Sequence, residues 1–269
     1  MTLKRGNNGD QVVVLQRLLN VEGYKLTIDG DFGAKTEAAV MAFQKSHNLT
    51  PDGIVGPMTW AAMGITDSRS VDPSVIYAPL TCCITRAPGR TIKYLAIHYT
   101  AGGSSAPGRA KSMKASWEAN KRASADFGVD DRDMVQFNPD PRNYRCWSVG
   151  DAKKPAGGGA QLYGKATNAN TISIEICSNL KAGYSHQAVN HDGWYFTEAT
   201  LNNAVKLAKI LMRKFNIPIE RVVRHYDISG KICPGVVGWN NYVRYDKNGN
   251  RIGKKNDSAA WLAFKKRLL

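Results

Sequence analysis

The sequence predicts an α/β fold, a mixed central β-sheet flanked by helices and preceded by a small three-helix unit. Three observations carry that expectation. At 269 residues the chain is long enough for a small and a medium domain. Its first 66 residues hold an internal repeat with helical periodicity. Beyond them, strand-like runs at 92–98 and 171–177 are interspersed with helical stretches at 109–120 and 196–215. The expected division is 1–66, a linker and lead-in at 67–90, and a larger domain at 91–269.

The repeat is direct. Asp29-Gly30-Asp31-Phe32-Gly33-Ala34-Lys35-Thr36-Glu37-Ala38-Ala39 aligns with Asp52-Gly53-Ile54-Val55-Gly56-Pro57-Met58-Thr59-Trp60-Ala61-Ala62 at Asp, both glycines, Thr and both alanines. Each copy reads as a glycine turn that opens a helix, with Pro57 suited to a first helical turn. Val12, Val13, Leu15, Leu18 and Leu19 before the first copy, and Ala38, Ala39, Val40, Ala42 and Phe43 before the second, recur at helical spacing.

Composition bounds the function. A hydrophobic share of 43% and a charged share of 22% describe an ordinary globular protein. No apolar run approaches the roughly 20 residues of a spanning helix, so membrane insertion is not expected. The start, Met1-Thr2-Leu3-Lys4-Arg5-Gly6, lacks the apolar stretch of a secretory signal peptide, so a cytoplasmic origin is expected. Five cysteines, an odd number without scaffold spacing, are read as reduced; Cys82 and Cys83 receive no role. Residues 1–66 carry six basic and six acidic groups, so the whole net charge of +15 lies in 67–269. Such a surface suits a polyanion, either nucleic acid or an anionic cell envelope, or solubility alone. No nucleic-acid-binding motif accompanies it, and a nucleic-acid partner is not expected.

The chemistry gathers at His225-Tyr226-Asp227-Ile228-Ser229-Gly230-Lys231-Ile232-Cys233-Pro234-Gly235. Val222-Val223 delivers His225 from a strand, and Ser229-Gly230 permits the backbone to return to Cys233. Imidazole and thiolate are zinc ligands, and a catalytic zinc takes three protein ligands. Of the other histidines, His98 is the best third ligand, because it ends the apolar run 94–97 and precedes Gly102-Gly103. His47 belongs to the earlier unit, and His186 and His191 read as a polar surface loop. In 171–177 the isoleucines at 172, 174 and 176 alternate with Ser173, Glu175 and Cys177, which puts Glu175 on the face away from the isoleucines. Alternation alone leaves open whether that face is solvated or functional. Thr197 caps a long helix whose stripe runs through Leu201, Ala204, Val205, Ala208, Leu211, Met212 and Phe215. A hairpin turned at 130–133, a glycine-rich loop at 154–159 and a closing helix at 259–269 complete the expected elements.

These residues carry two resemblances. Residues 1–66 resemble the repeat-bearing peptidoglycan-binding domain fused to cell-wall hydrolases, through Leu15-Gln16, both Asp-Gly-x-x-Gly turns, Ala42-Phe43-Gln44 and Thr59-Trp60. Residues 92–235 resemble zinc-dependent N-acetylmuramoyl-L-alanine amidases, the group shared by phage endolysins, muropeptide amidases and peptidoglycan recognition proteins. The matching stretches are Ala96-Ile97-His98-Tyr99-Thr100-Ala101, Ser173-Ile174-Glu175-Ile176-Cys177 and the His225 to Pro234 motif.

The second resemblance implies a Zn2+ cofactor held by His98, His225 and Cys233, with Glu175 as the catalytic carboxylate and Lys231 beside the metal. Tyr99 and Thr100 become candidates for substrate binding. Some phage amidases carry a tyrosine just before the region of Asp126-Phe127, where this chain has Ser124-Ala125; Glu175, rather than Tyr99, is expected to do that work. The implied protein is a phage or prophage endolysin that cuts between N-acetylmuramic acid and L-alanine in bacterial peptidoglycan. It would wait in the host cytoplasm for a separate holin. The alternatives are a cytosolic muropeptide-recycling amidase and a non-catalytic recognition protein, the latter disfavoured by Cys233.

Overall fold

The structure is a computed structural model that describes residues 2–63, 72, 74–101, 109–153, 158–185, 188–253 and 257–269. Gly102-Gly103, Lys154 to Gly157, His186 and most of 64–73 lie outside the described residues.

Three helices, α1 (Asp10–Val21), α2 (Ala34–Ser46) and α3 (Pro57–Ala62), build the N-terminal unit around Leu15, Leu19, Phe32, Val40, Phe43 and Val55. The repeat has a structural cause. Gln16 Nε2 donates to Asp29 Oδ1 (2.7 Å) and Asp31 O (2.9 Å), while Gly30 N donates to Gln16 Oε1 (2.9 Å). Gln44 does the same one repeat later, with Asp52 Oδ1 at 2.8 Å, Ile54 O at 2.9 Å and Gly53 N at 3.0 Å. Each buried amide thus clamps one turn, and Gly30 and Gly53 sit at φ 76° and 71°, where a side chain would be strained. Asp29 belongs to a clamp, Phe32 is fully buried and Trp60 is 3% exposed, so all three have structural work here. Gln44→Ala leaves Gly53 N without the acceptor it has in Gln44 Oε1. The expected cost is about 2 kcal/mol or more, seen as a lower midpoint in thermal unfolding, with Gln16→Ala costing a similar amount.

The larger unit is built on a six-stranded sheet ordered β1-β5-β4-β7-β3-β10 among the described residues. In chain order the strands are β1 (Ile76–Tyr77), β2 (Ile84–Arg86), β3 (Tyr94–Thr100), β4 (Phe127–Val129), β5 (Met134–Gln136), β6 (Tyr144–Cys146), β7 (Thr171–Cys177), β8 (Asn179–Leu180), β9 (Trp194–Tyr195) and β10 (Val222–Arg224). Helix α4 (Arg109–Asn120) follows β3, α5 (Glu198–Phe215) precedes β10, and α6 (His225–Ser229) and α7 (Ala259–Lys266) come after β10. The sheet is mixed: β4 and β5 form the antiparallel hairpin, and the remaining neighbours run parallel. β2 pairs with β6 and β8 with β9 in separate ribbons.

The sheet's two faces differ. Leu95, Ile97, Ile172, Ile174 and Ile176 pack with Ala204, Leu207, Ala208 and Leu211 of α5, each buried leucine or isoleucine contributing about 1.5–3 kcal/mol. Leu207, next to Ala208 of the expected stripe, is buried with it. Thr197 caps the helix, accepting from Thr200 N at 3.1 Å. On the opposite face, Ala96 and Val223 meet Val149, Ala166 and Ile228. Ser173 there is claimed by Asp126, with Ser173 N and Oγ both 2.9 Å from Asp126 Oδ2. Cys177 joins Leu80, Ala110, Met113 and Phe137. The second face of β7 is therefore covered, and the solvated alternative for Glu175 does not hold.

Four expectations need correction. Residues 76–86, read as part of a linker, supply β1 and β2; strands of two and three residues are too short to show a period, and pairing with β5 and β6 creates them. Strand β3 continues past His98 to Thr100 because β7 pairs with it along its whole length. The His225 loop opens with a helical turn, α6, in which Asp227 Oδ2 accepts from Arg224 N at 2.8 Å and Gly230 closes the turn at φ 78°. His191 is buried rather than exposed, stacked on Trp194 with centroids 5.9 Å apart. Among the described residues no helix is long and apolar enough to cross a membrane.

Candidate metal centre

Adjacent strands bring the predicted residues together. The β3–β7 register sets His98 directly opposite Glu175, and the β10–β3 pairing carries His225 alongside. His98 Nδ1 and His225 Nδ1 lie 3.1 Å apart, and Cys233 Sγ is 3.7 Å from His98 Nδ1. All three donor atoms fall within 4.8 Å of one another, on buried residues. Glu175 Oε1 is 3.8 Å from His98 Nδ1. These groups form one wall of a cavity of about 420 Å³, which Lys231 and Tyr99 also line.

The electrostatics suit a cation. Burial, and then the neighbouring His225 and Lys231, push the His98 pKa well below the ordinary imidazole value. Burial also lowers His225, against the opposing pull of Asp151. Both rings are thus held neutral, the form that ligates. Burial raises the Cys233 thiol, and Glu175 adds to that, while the backbone N–H of Tyr99 pulls it down. Burial pushes Glu175 up to about 8, with Lys231 opposing the rise. Two imidazoles and a thiol gathered with their donor atoms together fit zinc, whose positive charge would favour the thiolate and the carboxylate alike.

A family model for N-acetylmuramoyl-L-alanine amidase matches residues 88–236, and one for a peptidoglycan-binding domain matches residues 8–63. The chain belongs to the N-acetylmuramoyl-L-alanine amidase family. Among curated proteins, this amidase-family chain is similar to the amidase CwlH of Bacillus subtilis (strain 168), 32% identical over 155 residues, covering 56% of this chain and 51% of that one. It is also similar to the zinc D-Ala-D-Ala carboxypeptidase of Streptomyces albus G, 29% identical over 194 residues, covering 69% of this chain and 67% of that one. The chain spans about half the length of CwlH. Of solved structures, a mutant endolysin from Bacillus subtilis is 26% identical, with 72% of this chain and 96% of that one covered and a TM-score of 0.44.

Within this amidase-family site the predicted residues divide. His98, Glu175, His225, Lys231, Cys233 and Tyr99 all reach the cavity. The Tyr99 ring packs edge-on against Trp194 and close to Gly235, where a Cβ would stand 2.2 Å from its hydroxyl. Thr100 is a correction: its hydroxyl accepts from Ser178 N at 3.4 Å and its carbonyl from Ser178 Oγ, so it ties β3 to the end of β7 and is absent from the cavity wall. Ser124 lines the cavity, but its hydroxyl donates to Cys83 O at 2.5 Å. Cys82 and Cys83 are free, with sulfurs 3.1 Å apart.

Asp151 is the residue that sequence reasoning missed. Its Oδ2 lies 2.9 Å from His225 Nε2 and 3.2 Å from Lys231 Nζ. Those two partners hold its carboxyl well below the usual carboxylate range, His225 more than Lys231. Asn168 Oδ1 fixes the loop behind it by accepting from Ser148 N (3.0 Å) and Val149 N (2.8 Å). A carboxylate on the far nitrogen orients a ligating ring with Nδ1 toward the other donors. Asp151→Asn is expected to weaken metal binding about 10- to 100-fold in chelator competition, with the fold intact.

Proposed function

We propose that this chain hydrolyses the amide bond between N-acetylmuramic acid and L-alanine in bacterial peptidoglycan, with residues 1–66 holding the polymer and 91–269 cutting it. The convergence of His98 Nδ1, His225 Nδ1 and Cys233 Sγ beside the half-buried Glu175, at the wall of an open cavity, carries this reading. His98, His225 and Cys233 would hold zinc, and zinc supplies a Lewis acid that polarises a carbonyl and acidifies water. Glu175, whose proton affinity burial raises, accepts the proton of the attacking water and passes it to the departing alanine nitrogen. Lys231 offsets the negative charge that grows on the carbonyl oxygen, a contribution of about 3 kcal/mol in comparable sites. Asp151 keeps Lys231 charged and in place: burial lowers the lysine's pKa, yet Cys233, Asp151 and Glu175 together leave it raised. A polymer-holding unit raises the local substrate concentration. That favours an endolysin, held in a host cytoplasm until a holin releases it to the wall, over a muropeptide-recycling amidase.

The test is the chemistry of ends released from purified peptidoglycan by the protein as isolated, after chelation, and after zinc is restored. New alanine amino termini without new reducing sugars, lost on chelation and regained with zinc, are expected. Release of free D-alanine alone would place the activity with the carboxypeptidase relative instead. Binding to the polymer with no new ends would leave a recognition protein.

A further inference from the structure

The matched amidase region ends at residue 236, yet groups at 239–258 grip both ends of the segment that carries His225 and Cys233. On the His225 side, Arg224 Nη1 donates to Trp239 O (2.6 Å) and Ser258 Oγ (3.0 Å), and Tyr226 OH donates to Asn241 O (3.2 Å). On the Cys233 side, Asn240 Nδ2 donates to Pro234 O (2.5 Å). Arg244 Nη1 donates to Gly235 O (2.6 Å) and His191 O (3.0 Å), and its Nη2 to Val236 O (2.6 Å).

Arg244 is 1% exposed and Asn240 wholly buried. Burying a guanidinium is costly, and here its planar fork serves three backbone carbonyls, two of them just beyond Cys233-Pro234. The carboxylate Asp257 Oδ2 is 3.9 Å from Nε and also accepts from Gly238 N at 3.1 Å. Between the two grips, the metal-ligand segment crosses back on itself through Tyr226 N to Cys233 O (3.0 Å). A metal centre tolerates donor displacements of only about 0.5 Å, and two of the three donors here ride on this segment.

We propose that Arg244 and Asn240 are positioning residues for the metal centre: they fix the backbone after Cys233 and so set the separation of Cys233 Sγ from the two imidazoles. This rests on the metal reading above. Asn240 and Arg244 are then part of the site although they contribute no ligand.

The full chain is loaded with cobalt(II), and the thiolate-to-cobalt charge-transfer band is recorded together with zinc affinity by chelator competition. Wild type is compared with Arg244→Met, Asn240→Ser and, as a destabilised control that removes apolar packing of α5 and no polar grip on the segment, Leu211→Ala. Arg244→Met is expected to weaken zinc about 10- to 100-fold and to diminish the band, while folded Leu211→Ala keeps wild-type affinity. Asn240→Ser, which removes only the Pro234 contact, carries the test should Arg244→Met not fold, with about tenfold expected. A wild-type band and affinity in both site variants overturns the inference, as does an equal loss in Leu211→Ala. A wild-type chain with no thiolate band overturns the metal reading itself, and this inference with it.

Discussion

Cys233→Ala is expected to leave a folded protein that neither retains zinc nor releases alanine ends. The sulfur is one of three donor atoms within 4.8 Å, and the two imidazoles that remain are 3.1 Å apart at Nδ1 and held neutral by burial. Losing the Lewis acid forfeits several kcal/mol of transition-state stabilisation, which is on the order of a thousandfold or more in rate. The fold should persist, because Cys233 is one member of a large apolar cluster that includes Trp194, Trp239 and Trp261. The measurement is metal content by elemental analysis alongside end-group release and a circular dichroism spectrum. A Cys233→Ala protein with bound zinc and near-normal rates would sink the assigned donor set.

Glu175→Gln is expected to separate metal from catalysis. The amide matches the carboxylate in size and shape, so the seven paired positions of β3 and β7 remain intact and the three donors stay where they are. What disappears is a group able to take up and return a proton, and general acid–base contributions of this kind amount to roughly 10²–10⁴ in rate. Zinc content equal to wild type, with the rate reduced by that factor, is the expected pairing. If Glu175→Gln lost zinc as Cys233→Ala does, the carboxylate would be acting on the metal site and not on the proton.

The two substitutions also mark what the sequence could reveal. His98, Glu175 and His225 were legible because each ends or interrupts an apolar run, where a polar residue stands out. Their mutual placement was not, since the register that sets His98 opposite Glu175 joins segments far apart in the chain. Alternation along β7 showed that Glu175 leaves the isoleucine face. It took Asp126 on Ser173, and the Met113 and Phe137 cluster on Cys177, to show that the other face is also buried. Asp151 and Arg244 sit alone in irregular segments with no period or spacing to expose them. Their importance arises only when the chain returns to His225 and to Gly235. The glutamine clamps are an intermediate case: the repeated Asp-Gly turns were visible, but the amide that holds each one lies in the preceding helix.

Tyr77 has a bearing on how the protein reaches its polymer. It belongs to the edge strand β1, paired with β5, and its hydroxyl donates to Pro139 O at 2.9 Å. Its ring, 5% exposed, nevertheless sits in the apolar cluster of Leu15, Phe43 and Trp60. One side chain is therefore rooted in both units, so they share a packed joint at Tyr77. Cutting the gene at residue 66 to obtain the catalytic half would leave that ring bare to water, a sticky scar on the sheet's rim. On an insoluble mesh the same joint would limit the stretch of polymer that one anchoring event places within the cutter's reach.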